Sequence, residues 1–150
     1  MASLNAKDID LELDRSSLEE ALKKLNLLTD FEKEAVVAKG LQEAAKIVAK
    51  ETKENIDHRL EEHEGNLIGS VKTLTKKKIG RSYVGFQRPK GNIAHILEQG
   101  SKQRTTKSGA NRGRVKGYYF QRDAVERKGQ EALDTLADSI MKSIDKIINR

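Results

Sequence analysis

Leu18, Ala21, Leu22, Leu25 and Leu28 recur at helical spacing in SSLEEALKKLNLL, which predicts a short amphipathic helix. Ser17 with Glu20 three residues on forms a capping-box pattern at its start. A second start signal follows in TDFEKEAVV, with Thr29 or Asp30 as N-cap and Glu32 or Lys33 in the first turn. From there Val37, Leu41, Ala44, Ala45, Val48, Ile56 and Leu60 track one face, with no Pro and only Gly40 as a glycine. The pattern predicts one helix over about residues 31–63, roughly 45–50 Å long at 1.5 Å per residue. Gly65 is expected to end it in the left-handed conformation.

After Gly65 the period changes. Val71, Thr73 and Thr75, then Tyr83, Val84 and Phe86, are good strand residues on either side of a basic run and Gly80. They predict two antiparallel strands, roughly 69–77 and 81–87. Pro89 closes the second and opens a loop with Gly91. NIAHILEQG reads as one or two helical turns ended by Gly100, and GYYFQ as a strand edge or packing anchor. In the last 29 residues Leu133, Leu136, Ala137, Ile140, Ile144, Ile147 and Ile148 hold one helical stripe. The fold class expected is α+β: a small antiparallel sheet packed against a long N-terminal helix and a C-terminal helix, with a long basic loop. Residues 1–30 form an extension with a short helix ahead of an α+β domain over 31–150. A sheet of two or three strands leaves an edge to be paired or covered.

Composition thins the core. Of 150 residues, 36% are hydrophobic and 35% charged, so burial must come from Leu, Ile, Val and Ala on amphipathic faces. Without Cys, disulfides, thiolate metal sites and Cys nucleophiles are excluded. No secretory leader or membrane-spanning run is visible, and a soluble protein made inside a cell is expected. Charge is polarised: residues 1–64 carry 16 acids and 10 bases (−6), residues 65–150 carry 7 acids and 19 bases (+12). Such a molecule can attract nucleic acid, or stack on copies of itself or on an acidic neighbour.

The chemistry-bearing candidates are few. His58 and His63 stand five apart among Glu61, Glu62 and Glu64, roughly 140° round a helix, whereas a His-Glu-x-x-His metal site needs both imidazoles on one face. A solvated helix end is the favoured reading there, and a packing or interface residue is the favoured reading for His95. No phosphate-binding glycine loop or nucleophile elbow occurs, so no enzyme, metal or cofactor is expected. The strip from Gly100 to Gly117 carries Lys102, Arg104, Lys107, Arg112, Arg114 and Lys116 and no acid. It can neutralise phosphates, with Tyr118, Tyr119 and Phe120 as possible stacking groups. A solvated or partner-facing loop is the preferred reading over a nucleic-acid contact.

Four stretches in order, EGNLIGSVK, SYVGFQ, IAHILEQGSK and YYFQRDAVE, resemble the tail-completion and minor-tail family of long-tailed, lambda-like phages over about residues 31–148. The family carries a Gly-Asn-Leu turn, Tyr-Val-Gly, an Ala-His-x-x-Glu-x-Gly motif and a Phe-x-x-x-Ala anchor between two helices. Here Glu64, Gln99 and Ser101 replace the residues usual beside them. The resemblance marks Gly65, Asn66, Leu67, Ser70, His95, Glu98, Gly100, Phe120 and Ala124 as structural motif positions, and implies no catalytic residue.

What the resemblance implies is a virion component of the head–tail junction or upper tail, made in the host cytoplasm. It would act as a ring, usually of six subunits, between the head connector and the tail tube, with no membrane partner and with possible transient contact with genomic DNA. On that view the 100–117 strip is a mobile loop that orders on assembly. The alternatives are a stand-alone nucleic-acid-binding protein using residues 102–116, and an enzyme using His58 or His63.

Overall fold

The structure, a computed structural model, describes residues 15–60 and 66–150. Helix α1 (Arg15–Leu25) is followed by a tight turn into α2 (Asp30–Arg59). Ser17 lies inside α1, because the helix already includes Arg15, a good helix former. The α2 start is as expected: the Thr29 hydroxyl accepts the N–H of Glu32, and the Glu32 carboxylate accepts the Thr29 N–H at 2.9 Å.

At its other end α2 stops at Arg59, and Leu60 leaves in extended conformation. The expected end at residue 63 was therefore too late. Continuing would have set Glu61 and Glu62 against the negative end of the helix dipole, whereas Leu60 instead packs against the core. Gly65 as a stop signal, and the Asn66 side chain, fall outside the described residues.

A short helix α3 (Asn66–Ser70) leads into strands β1 (Val71–Lys76) and β2 (Arg81–Phe86), which pair antiparallel from Val71↔Phe86 to Lys76↔Arg81. β1 starts two residues later than the sequence predicts. Ser70 is buried and its hydroxyl donates to the Leu67 carbonyl at 2.6 Å, which keeps 69–70 in the helical turn. A 3-10 turn, Lys77–Ile79, and Gly80 at φ +60° join the strands.

Helix α4 (Ala94–Gln99) follows a turn that contains a cis Arg88–Pro89 bond. The basic strip is not loop throughout. Strands β3 (Arg104–Thr105) and β4 (Asn111–Gly113) fold it into a small hairpin. Helix α5 (Phe120–Ile148) completes the α+β fold.

α2 and α5 run antiparallel, with Asn55 beside Phe120, Glu51 beside Arg127 and Gly40 beside Leu136. The helices close up at Gly40, where a Cβ would lie 2.8 Å from Leu136 Cδ1. One core cluster unites Ala21, Leu25 and Leu28 with Val36, Ile140 and Ile144. The other unites Ile56, Leu67, Val71, Ala94 and Phe120, and brings Phe86 edge-on to Phe120 at 5.6 Å. Each buried Leu, Ile, Val or Phe among them contributes about 1.5–3 kcal/mol by leaving water. At the end of the α5 stripe Ile147 packs inward while Ile148 is 51% exposed, contrary to its expected place on the buried face.

Candidate functional site

The motif residues converge where α4 meets the start of α5. Tyr119 ends its approach in the left-handed region (φ 49°), and its own side chain caps nothing. The cap comes from elsewhere in the chain: the buried Glu98 carboxylate accepts the N–H of Gln121 at 3.0 Å and of Arg122 at 2.9 Å. A carboxylate at the positive end of a long helix is favoured by the dipole as well as by these two bonds. Around it, the N–H groups of Tyr118 and Tyr119 donate to the carbonyls of Leu97 and Glu98, and Gln121 Nε2 donates to the Val84 carbonyl at 2.7 Å.

From α2, Asn55 Nδ2 donates to the Phe120 carbonyl at 2.9 Å, and Arg59 donates to the Tyr118 carbonyl and pairs with Asp123. Burial raises the Asp123 pKa, but the Arg59 and Arg122 hydrogen bonds outweigh it and hold the carboxyl below its ordinary value. Gly100 (φ +79°) passes so close to the segment returning from β4 that a Cβ would lie 2.7 Å from both the Gly117 nitrogen and the Val115 oxygen. Ala94, Phe120 and Ala124 fill the core beneath. Leu67, Ser70, Ala94, Glu98, Gly100, Phe120 and Ala124 thus form one structural junction, with His95 exposed at its rim.

Beyond the junction the chain makes its basic hairpin. Ser101 and Val115 tie its base by two bonds of 3.0 Å, and the Thr106 hydroxyl accepts the Ala110 N–H at its tip. Lys102, Arg104, Lys107, Arg112, Arg114 and Lys116 are all exposed, and none forms an ion pair with a described residue. The three aromatics do not extend this surface as a stacking platform. Phe120 is fully buried, Tyr118 packs against the core, and Tyr119 is covered on one face by Arg122, whose guanidinium lies 4.0 Å from the ring centre.

Two open grooves adjoin the sheet. One, about 620 Å³, runs between β2 and α4 past Arg88, His95 and Gln121. The other, about 430 Å³, lies between α2 and β1, against Ala35, Ala38, Gln42, Thr73 and Thr75. His58 is exposed in the last turn of α2, and His63 lies outside the described residues. Among the described residues no three His, Asp or Glu side chains are placed to hold a metal, and no helix is long and apolar enough to cross a membrane.

The resemblance marks Glu98 as a structural position but not as the α5 cap, and the residues alone show only a lone acid in a basic region, 24 residues from its partner Arg122. No family model, curated protein or solved structure matches the chain.

Proposed function

We propose that the chain is a structural protein of a tailed-phage virion, which assembles as a ring and joins the tail tube to the head connector. The observation that carries this reading is the two-stranded sheet β1–β2. Among the described residues its strands pair only with each other, and Leu74 is 57% exposed on the face turned away from α2. Two strands alone are marginal in water, and bare edges invite pairing with another chain. The motif residues have internal jobs, so the work falls to surfaces: the sheet and the exposed cations of the hairpin. An acidic first half and a basic second half supply matched charge between neighbours in a ring.

The test is to add purified protein to tail tubes and heads and follow ring formation and joining by electron microscopy. Rings on the tube end, and loss of joining on neutralising Arg104, Arg112 and Arg114, are expected. Joining that proceeds equally well without the protein would overturn the reading.

The six exposed cations, unpaired with any described residue, also favour a second reading, a nucleic-acid-binding protein acting alone. It expects tight DNA or RNA binding by the monomer, falling with salt by a log–log slope of about −0.9 per duplex phosphate contacted. Weak binding at moderate salt would remove it.

A further inference from the structure

The groove between α2 and β1 has a matching sequence pattern elsewhere in the chain. Because the Gln87 N–H bonds the Ser70 carbonyl, the antiparallel register makes Lys72↔Gly85 and Leu74↔Tyr83 hydrogen-bonded pairs. The backbone groups of Val71, Thr73 and Thr75 then point to the edge away from β2. The side chains of these three residues face α2, while Lys72 and Lys76 stand out on the opposite, exposed face. The groove beneath that edge is walled on the α2 side by Ala35, Ala38, Lys39 and Gln42, with Lys77 also lining it, and the two alanines leave the room in it.

An added strand would therefore need apolar residues at alternate positions to fill the groove, and acids between them to meet Lys72 and Lys76. Residues 8–14, DIDLELD, have that pattern: Ile9, Leu11 and Leu13 alternate with Asp8, Asp10, Glu12 and Asp14. Strict alternation over seven residues is the signature of a half-buried strand. This segment lies outside the described residues and leads directly into α1. α1 packs on the side of α2 marked by Val36 and on α5. The groove opens on a different side, marked by Ala35, Ala38 and Gln42. The donor is thus best supplied by a second molecule.

We propose that residues 8–14 of one copy add as a third strand to the free β1 edge of a neighbouring copy. Ile9, Leu11 and Leu13 would enter the α2–β1 groove, with the acids over Lys72 and Lys76. The proposal rests on the ring-assembly reading and names the contact that closes one subunit onto the next.

The chain has no Cys, which makes cross-linking clean. Full-length Ile9→Cys, Leu11→Cys and Leu13→Cys chains, between them covering the alternative registers, are each mixed with tagged Thr73→Cys chains and oxidised. Gln130→Cys, on the exposed surface of α5, serves as control acceptor. Disulfide-linked pairs between the two kinds of chain are expected with Thr73→Cys in at least one register and not with Gln130→Cys. A full-length Lys72→Glu/Lys76→Glu variant should self-associate at least ten-fold more weakly, and Asp10→Lys/Glu12→Lys in the same chain should restore it.

Equal cross-linking to the control overturns the proposal. So does a Leu11→Cys/Thr73→Cys chain that links only within itself. A protein that assembles with no cross-link in any register overturns the strand but leaves the ring; a protein monomeric at every concentration overturns both.

Discussion

Asn55 and Glu98 hold opposite ends of one peptide group. The Asn55 side-chain amide donates to the Phe120 carbonyl at 2.9 Å, and the Glu98 carboxylate accepts the adjoining Gln121 N–H at 3.0 Å. Both residues are buried. The first peptide of α5 is thereby fixed from α2 on one side and α4 on the other, so three elements far apart in the chain meet at one backbone unit.

Glu98→Ala leaves two N–H groups at the start of α5 without their acceptor and should destabilise by about 2–3 kcal/mol. Glu98→Gln keeps one acceptor oxygen and should lose roughly half as much. Asn55→Ala should cost about 1–3 kcal/mol. Because the two residues restrain the same peptide, the double variant should depart from additivity by roughly 0.5–2 kcal/mol. Urea denaturation of the four proteins measures this directly; strictly additive losses would show that the two restraints act independently.

Gly100→Ala should be among the most damaging small substitutions. The residue combines a positive φ with a Cβ position only 2.7 Å from backbone atoms of Val115 and Gly117, and backbone is not free to give way. A loss of roughly 2–4 kcal/mol is expected. Gly69→Ala, in α3 with nothing within 4 Å of its Cβ, should change stability by no more than about 1 kcal/mol. Thermal unfolding compares the pair, and equal shifts would contradict the crowding argument.

These examples mark where sequence reading stops. The Thr29–Glu32 cap was legible because both partners lie within four residues, and Gly80 and Gly100 were legible because turn chemistry is local. Phe120 and Ala124 were marked as structural positions by the resemblance, while the residues alone left Phe120 open to a stacking role. The bonds made by Asn55 and Glu98 were not legible, since their partners lie 65 and 23–24 positions away and only the folded chain brings them together. The β3–β4 hairpin was illegible for a different reason: its strands are exposed throughout, so no alternation of burial is written into them. It is held by side-chain-to-backbone bonds from Ser101, Thr106 and Asn111. The end of α2 was misplaced because the apolar period runs on to Leu60, which packs half-buried against the core from a non-helical position.

Neutralising Arg104, Arg112 and Arg114 to Gln should leave the fold untouched, within about 0.5 kcal/mol, because none of these side chains is packed or paired with a described residue. If the chain acts as proposed, head–tail joining should nevertheless fail. Circular dichroism melts and the joining assay together separate the two effects, and a large fall in melting temperature would show that the hairpin supports the fold itself.

Acid should weaken the α2–α5 contact through Asp123. Its carboxyl sits below its ordinary value, since burial, which raises it, is outweighed by the hydrogen bonds from Arg59 and Arg122. As pH falls, the unfolded chain takes up this proton first, at about pH 3.9, while the folded chain resists until its lower value is reached. The stabilisation is therefore complete above the unfolded value and disappears through the window below it. Asp123→Asn removes the charge at every pH. Wild type should be the more stable protein at pH 7, and the gap should narrow when both are denatured at pH 3. A gap that stays constant between the two conditions would mean that the Arg59–Asp123 pair adds nothing through its charge.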